Sequence, residues 1–72
     1  MRERIIEVSE KPNRYEFAIL FPHLKGYAIY WSVVKQKWCI SVRCTDEEAK
    51  RIEQEFQGIR TYVYTDGKEI KS

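Results

Sequence analysis

Few residues in this chain have side chains that could do chemistry: two cysteines, one histidine and eleven acids. Cys39 and Cys44 lie in Trp38-Cys39-Ile40-Ser41-Val42-Arg43-Cys44, a run whose β-branched and aromatic content reads as a strand. Five steps along a strand separate them by about 17 Å and send odd and even positions to opposite faces. A disulfide needs Cα atoms within about 7 Å. They therefore cannot bridge or share a metal, and a single histidine, His23, leaves the set short of a four-ligand zinc site. Cys44 is expected as a buried core thiol and Cys39 as a half-exposed sheet residue.

Nucleophilic catalysis by Cys39 would need His23 beside it and a group to orient the imidazole, and no motif supplies that group. Glu47, Glu48, Glu53 and Glu55 are explained by an acid-rich first helical turn and a solvated helix face. Gly26, Gly58 and Gly67 stand alone, so neither a phosphate loop nor a dinucleotide fingerprint is present. The expectation is a non-enzymatic chain that takes no cofactor and no metal.

The elements that must position these residues read as follows. Arg2–Val8, with Ile5, Ile6 and Val8, is a first strand, and Ser9–Arg14 a turn around Pro12 and Asn13. Tyr15–Phe21 reads as a second strand, broken by Pro22-His23-Leu24-Lys25-Gly26. Tyr27–Val34 and Trp38–Cys44 form a hairpin. Only an even loop length joins their apolar stripes on one face. A four-residue loop, Val34–Lys37, would pair Val33 with Trp38 and Trp31 with Ile40. Thr45 and Glu48 have capping-box spacing for a helix with Ala49, Ile52 and Phe56 on one stripe and Gly58 as its C′ stop. Ile59–Tyr64 is a strand, Asp66-Gly67 a tight turn, and Lys68–Lys71 a short edge strand.

The order β-β-β-β-α-β, with a final β, specifies an α+β fold: an antiparallel sheet of about five strands with one helix on one face. Phe17, Ile19, Phe21, Ile29, Trp31, Val33, Trp38, Ile40 and Val42 would face Ala49, Ile52 and Phe56. The opposite face would offer Ala18, Leu20, Ala28, Tyr30, Val34, Tyr62 and Tyr64.

Residues 1–72 make one domain, with net charge +2 and 43% hydrophobic content, too apolar for disorder. Charges at Arg2, Glu3, Arg4, Glu7, Glu10, Lys11, Arg14 and Glu16 leave no apolar signal core. The uncharged stretch Gly26–Ser32 continues to Val34 and is about half of the roughly 20 residues a membrane span needs. A cytoplasmic protein without membrane contact is expected.

Charge is uneven. No acid occurs between Glu16 and Asp46, whereas Lys25, Lys35, Lys37 and Arg43 do. On the outer face of the hairpin this sets Tyr30, Ser32, Lys35, Lys37, Ser41 and Arg43 together, with Tyr62 and Tyr64 as companions. Such a surface suits either a protein interface or a nucleic-acid strand stacked on aromatics and neutralised by cations. A domain this small has a marginal core, and with neither disulfide nor metal its extra burial is expected from self-association. The sequence thus points to a binding or regulatory module that works through protein–protein contacts as a homodimer. Its partner is not specified, and nucleic-acid binding is the alternative.

Overall fold

In a computed structural model, seven elements follow one another: β1 (Arg2–Val8), α1 (Arg14–Leu20), β2 (Ala28–Ser32), β3 (Lys37–Cys44), α2 (Asp46–Glu55), β4 (Gly58–Thr65) and β5 (Lys68–Lys71). The structure describes residues 2–65 and 68–71, and side chains for residues 2–63. The strands form one antiparallel sheet in the order β2-β3-β1-β4-β5. This is the expected α+β architecture, with two helices in place of one. Through β4 the connectivity is the split β-α-β pattern of ferredoxin-like folds, and β5 extends it by one edge strand. The expected Asp66-Gly67 turn lies outside the described residues.

The second helix corrects the reading of Tyr15–Phe21 as a strand. Asn13, itself extended, caps α1 by accepting from the Tyr15 and Glu16 amides at 2.9 and 3.1 Å. Behind that cap, Phe17, Leu20, Phe21 and Leu24 repeat at i, i+3, i+4 and i+7, the helical stripe. Phe17 and Phe21 are completely buried, whereas Ile19, assigned to the core by strand alternation, is 78% exposed. Leu20 is half-buried against the core, and Ala18 is exposed. Aromatic content favoured a strand, but the cap and the period of the apolar residues win.

Helix α2 has the expected capping box: Thr45 Oγ1 accepts from the Glu48 amide at 3.2 Å, and Glu48 Oε1 accepts from the Thr45 amide at 3.0 Å. Its far end differs. The left-handed residue is Gln57, φ 53°, while Gly58 begins β4. Gly58 is needed for closeness instead, because a Cβ there would lie 2.9 Å from Glu53 Cα. The β2–β3 hairpin keeps the expected parity but slips by one step on each side. Trp31 pairs with Trp38 and Ile29 with Ile40, around a loop of Val33–Gln36. Gln36 closes the loop at φ 54°, its amide donating to the Ser32 carbonyl at 2.7 Å.

One core lies between the sheet and both helices. Ile6, Val8, Ile40, Val42 and Cys44 meet Phe17, Phe21, Leu24, Ala49 and Ile52. Tyr27 and Phe56 close around Phe17, with ring centroids 4.3 and 5.6 Å away. Arg4 fastens β1 to the start of α2, donating to the Cys44 carbonyl at 3.1 Å and pairing with Asp46 at 2.6 Å. Val33, expected inside, is in the loop and 77% exposed, and Trp31 is 48% exposed.

Candidate functional site

The face of the sheet away from the helices carries the residues that the sequence groups together. Pairing places Tyr30 and Ser32 of β2, Lys37, Cys39, Ser41 and Arg43 of β3, Glu3, Ile5 and Glu7 of β1, and Tyr62 of β4 on that side. Its centre is closed. Ile5, Cys39 and Tyr62 form a second buried cluster, with Cys39 and Tyr62 at 0% and 1% exposure. Cys39 is thus buried, contrary to the half-exposed position expected of it, because cross-strand neighbours Glu7 and Tyr30 flank it within a covered cluster. Tyr62 is likewise not an open platform.

The cover is cationic. Lys35 reaches back from the hairpin loop so that its Nζ lies 3.2 Å from Glu7 Oε2 and 3.7 Å from the centroid of the Tyr62 ring. Lys37 approaches Glu7 Oε1 at 3.8 Å, and the Arg60 guanidinium lies 5.0 Å from the Tyr62 centroid. Glu7, whose side chain is only 3% exposed, is the functional-looking residue that sequence reasoning missed. Strand alternation in β1 was the available signal, since Glu3, Ile5 and Glu7 share one face. Ser41 Oγ donates to Glu3 Oε1 at 3.3 Å, and Ser32 Oγ accepts from the Lys35 amide at 3.3 Å. Tyr30 and Arg43 are exposed. The Tyr64 side chain lies outside the described residues.

The reactive groups elsewhere are the Cys44 thiol and the His23 imidazole. Burial pushes the Cys44 thiol pKa up, only partly opposed by the Arg4 cation. His23 Nε2 contacts Glu48 Oε2 beside the start of α2. The Thr45 amide and then His23 hold the Glu48 carboxyl below its ordinary pKa. Among the described residues, no three of His, Cys, Asp and Glu are grouped to hold a metal ion, and no helix is long and apolar enough to cross a membrane.

Exposed apolar surface collects on the other side, at the β2 edge. A groove of about 590 Å³ runs between the start of α1 and the hairpin, lined by Lys11, Pro12, Asn13, Arg14, Tyr15, Ile29 and Trp38. Trp31 abuts Trp38 edge to face, with centroids 5.7 Å apart, and Lys11 Nζ stands 5.4 Å from the Trp38 centroid. Tyr15 is 81% exposed, and Ile19 follows it by one helical turn.

The two sheet edges differ in kind. β5 is Lys-Glu-Ile-Lys, charged as edges that resist further pairing are. β2 is Ala-Ile-Tyr-Trp-Ser, with neither charge nor proline, and Ala28, Tyr30 and Trp31 are exposed. Comparison of the chain with protein-family models, with curated proteins and with solved structures finds no match.

Proposed function

We propose that the chain is a small non-enzymatic binding module that acts through protein–protein contacts as a homodimer, two copies pairing β2 with β2 across a two-fold axis. The observation that carries this reading is the unguarded β2 edge. A strand edge presents a row of backbone donors and acceptors, and natural proteins protect such edges with lysine, proline, bulges or a covering element. β2 has none of these in its five residues, while β5 at the other edge carries two lysines. Antiparallel pairing of identical strands is isologous, so one strand supplies both halves of the interface. Tyr30, the middle residue of β2, would sit at the axis. Exposed Trp31, Val33 and Val34 beside it add apolar area.

The outer sheet face supports a contact module over a nucleic-acid platform at that location. Lys35 and Lys37 are held against the Glu7 carboxylate, and Tyr62 is covered. Sedimentation velocity at roughly 10–50 µM tests the proposal, a range in which micromolar affinities populate the dimer. Wild type should sediment at twice 8.7 kDa. Tyr30→Lys, which sets like charges opposite each other at the axis, should sediment as a monomer with an unchanged far-UV circular dichroism spectrum. A monomeric wild type throughout that range, or a Tyr30→Lys dimer, would overturn it.

A further inference from the structure

We infer that the groove between α1 and the β2–β3 hairpin binds single-stranded nucleic acid, with bases against Tyr15 and Trp38 and phosphates on Lys11 and Arg14. The site is distinct from the outer face and does not rest on the dimer. Its volume of about 590 Å³ suits a few bases rather than a folded partner. Two aromatic rings line it, Tyr15 at 81% exposure and Trp38 as the half-buried wall, and Trp31 abuts Trp38 beside it. Proteins that hold single strands combine such rings with a cationic groove, because every base has a π face and every nucleotide a phosphate.

The charge at the groove matches. Lys11 and Arg14 are exposed, and the groove's lining residues include no acid. Among the described residues neither cation is in an ion pair, in contrast to Lys35 and Lys37. The Lys11 ammonium stands near the Trp38 ring, so a phosphate on Lys11 would bring its base alongside that ring. An acidic peptide could use the two cations but would leave the Tyr15 and Trp38 rings unmatched.

Trp38 lines the groove and Trp31, the chain's other tryptophan, abuts it, so intrinsic fluorescence reports on the groove. The probe is an oligodeoxythymidine of about twelve nucleotides, within the span a small single-strand binder covers. Titration at low salt should quench the fluorescence. Lys11→Ala and Arg14→Ala should each flatten the log affinity–log salt slope by about 0.7. Tyr15→Ala, at an exposed position, should weaken binding about 5- to 100-fold with unchanged circular dichroism. Arg43→Ala, on the outer face, should change nothing. Absence of quenching at low salt would overturn the inference. So would loss of binding in Arg43→Ala but not in Lys11→Ala or Arg14→Ala, or equal displacement by an oligoglutamate of the same length.

Discussion

Removing the cation beside Glu7 should destabilise the fold far more than removing Glu7 itself. The carboxylate is only 3% exposed at the centre of the sheet, whereas the Lys35 side chain is 22% exposed at the end of a flexible stem. Lys35→Met keeps the stem and deletes the charge 3.2 Å from Glu7 Oε2. Stranding a buried charge costs about 3–5 kcal/mol. Lys37 at 3.8 Å remains, and Lys35 is partly solvated, so about 2–3 kcal/mol is expected here. Loss of the ammonium over the Tyr62 ring is contained within that figure, at about 1 kcal/mol. In a domain of this size the melting temperature should fall by roughly 10–20 °C. Glu7→Leu should cost about 1 kcal/mol or less, because the partly solvated Lys35 ammonium keeps its place over the Tyr62 ring while an apolar side chain takes the buried place. The double variant should lie near Glu7→Leu, so that the two changes are strongly non-additive. Urea denaturation of all four proteins measures this. A loss in Lys35→Met as small as that of a surface lysine, or a Glu7→Leu variant less stable than Lys35→Met, would refute the reasoning.

Two further predictions concern α2. Gln57 holds a left-handed conformation that glycine adopts freely, so Gln57→Gly should stabilise by about 0.5–1 kcal/mol, whereas Gly58→Ala should destabilise by about 1–3 kcal/mol through its clash with the Glu53 backbone; chemical denaturation gives both signs. Glu48 is held below its ordinary pKa of 4.5 chiefly by the Thr45 amide and next by His23, so its charge stabilises the fold above that value and the benefit is lost as pH falls through the lowered one. Glu48→Gln keeps an acceptor for the cap but no charge, so its deficit in a urea titration should be greatest near neutrality and vanish in acid.

The parts of the fold legible in the sequence were those governed by local rules. Thr45 and Glu48 announced α2 through a reciprocal hydrogen-bond pattern that needs only four residues. The hairpin parity followed from joining two apolar stripes, but the exact register depended on Gln36 adopting a left-handed turn conformation that glutamine does not advertise. Helix α1 was missed because Tyr-Glu-Phe-Ala-Ile-Leu-Phe alternates poorly yet is rich in strand formers. Asn13 ahead of it and the Phe17–Leu24 period were the better signals. At the surface, the grouping of Tyr30, Ser32, Lys35, Lys37, Ser41, Arg43 and Tyr62 on one face was legible from alternation. That Glu7 would engage two of those lysines was not, since β1 joins β3 only through pairs such as Glu7 with Cys39 that lie far apart in sequence. The groove was invisible for the same reason as α1, because Tyr15 reaches it only as a helical residue.

The position of β1 has a consequence for how the molecule assembles. It comes first in the chain yet occupies the middle of the sheet, joined to its neighbours through pairs such as Arg2 with Cys44 and Arg4 with Val63. The hairpin and α2 can organise from contacts close in sequence, but this strand must wait until both its flanks have been synthesised and brought back to it. Closing those long loops precedes the gain from pairing, so docking of β1 is expected to be the slow step of folding, to be read as the slowest phase in stopped-flow refolding. Until then Ile5, Ile6 and Val8 are open to solvent, the interval in which a newly made chain is most exposed to aggregation.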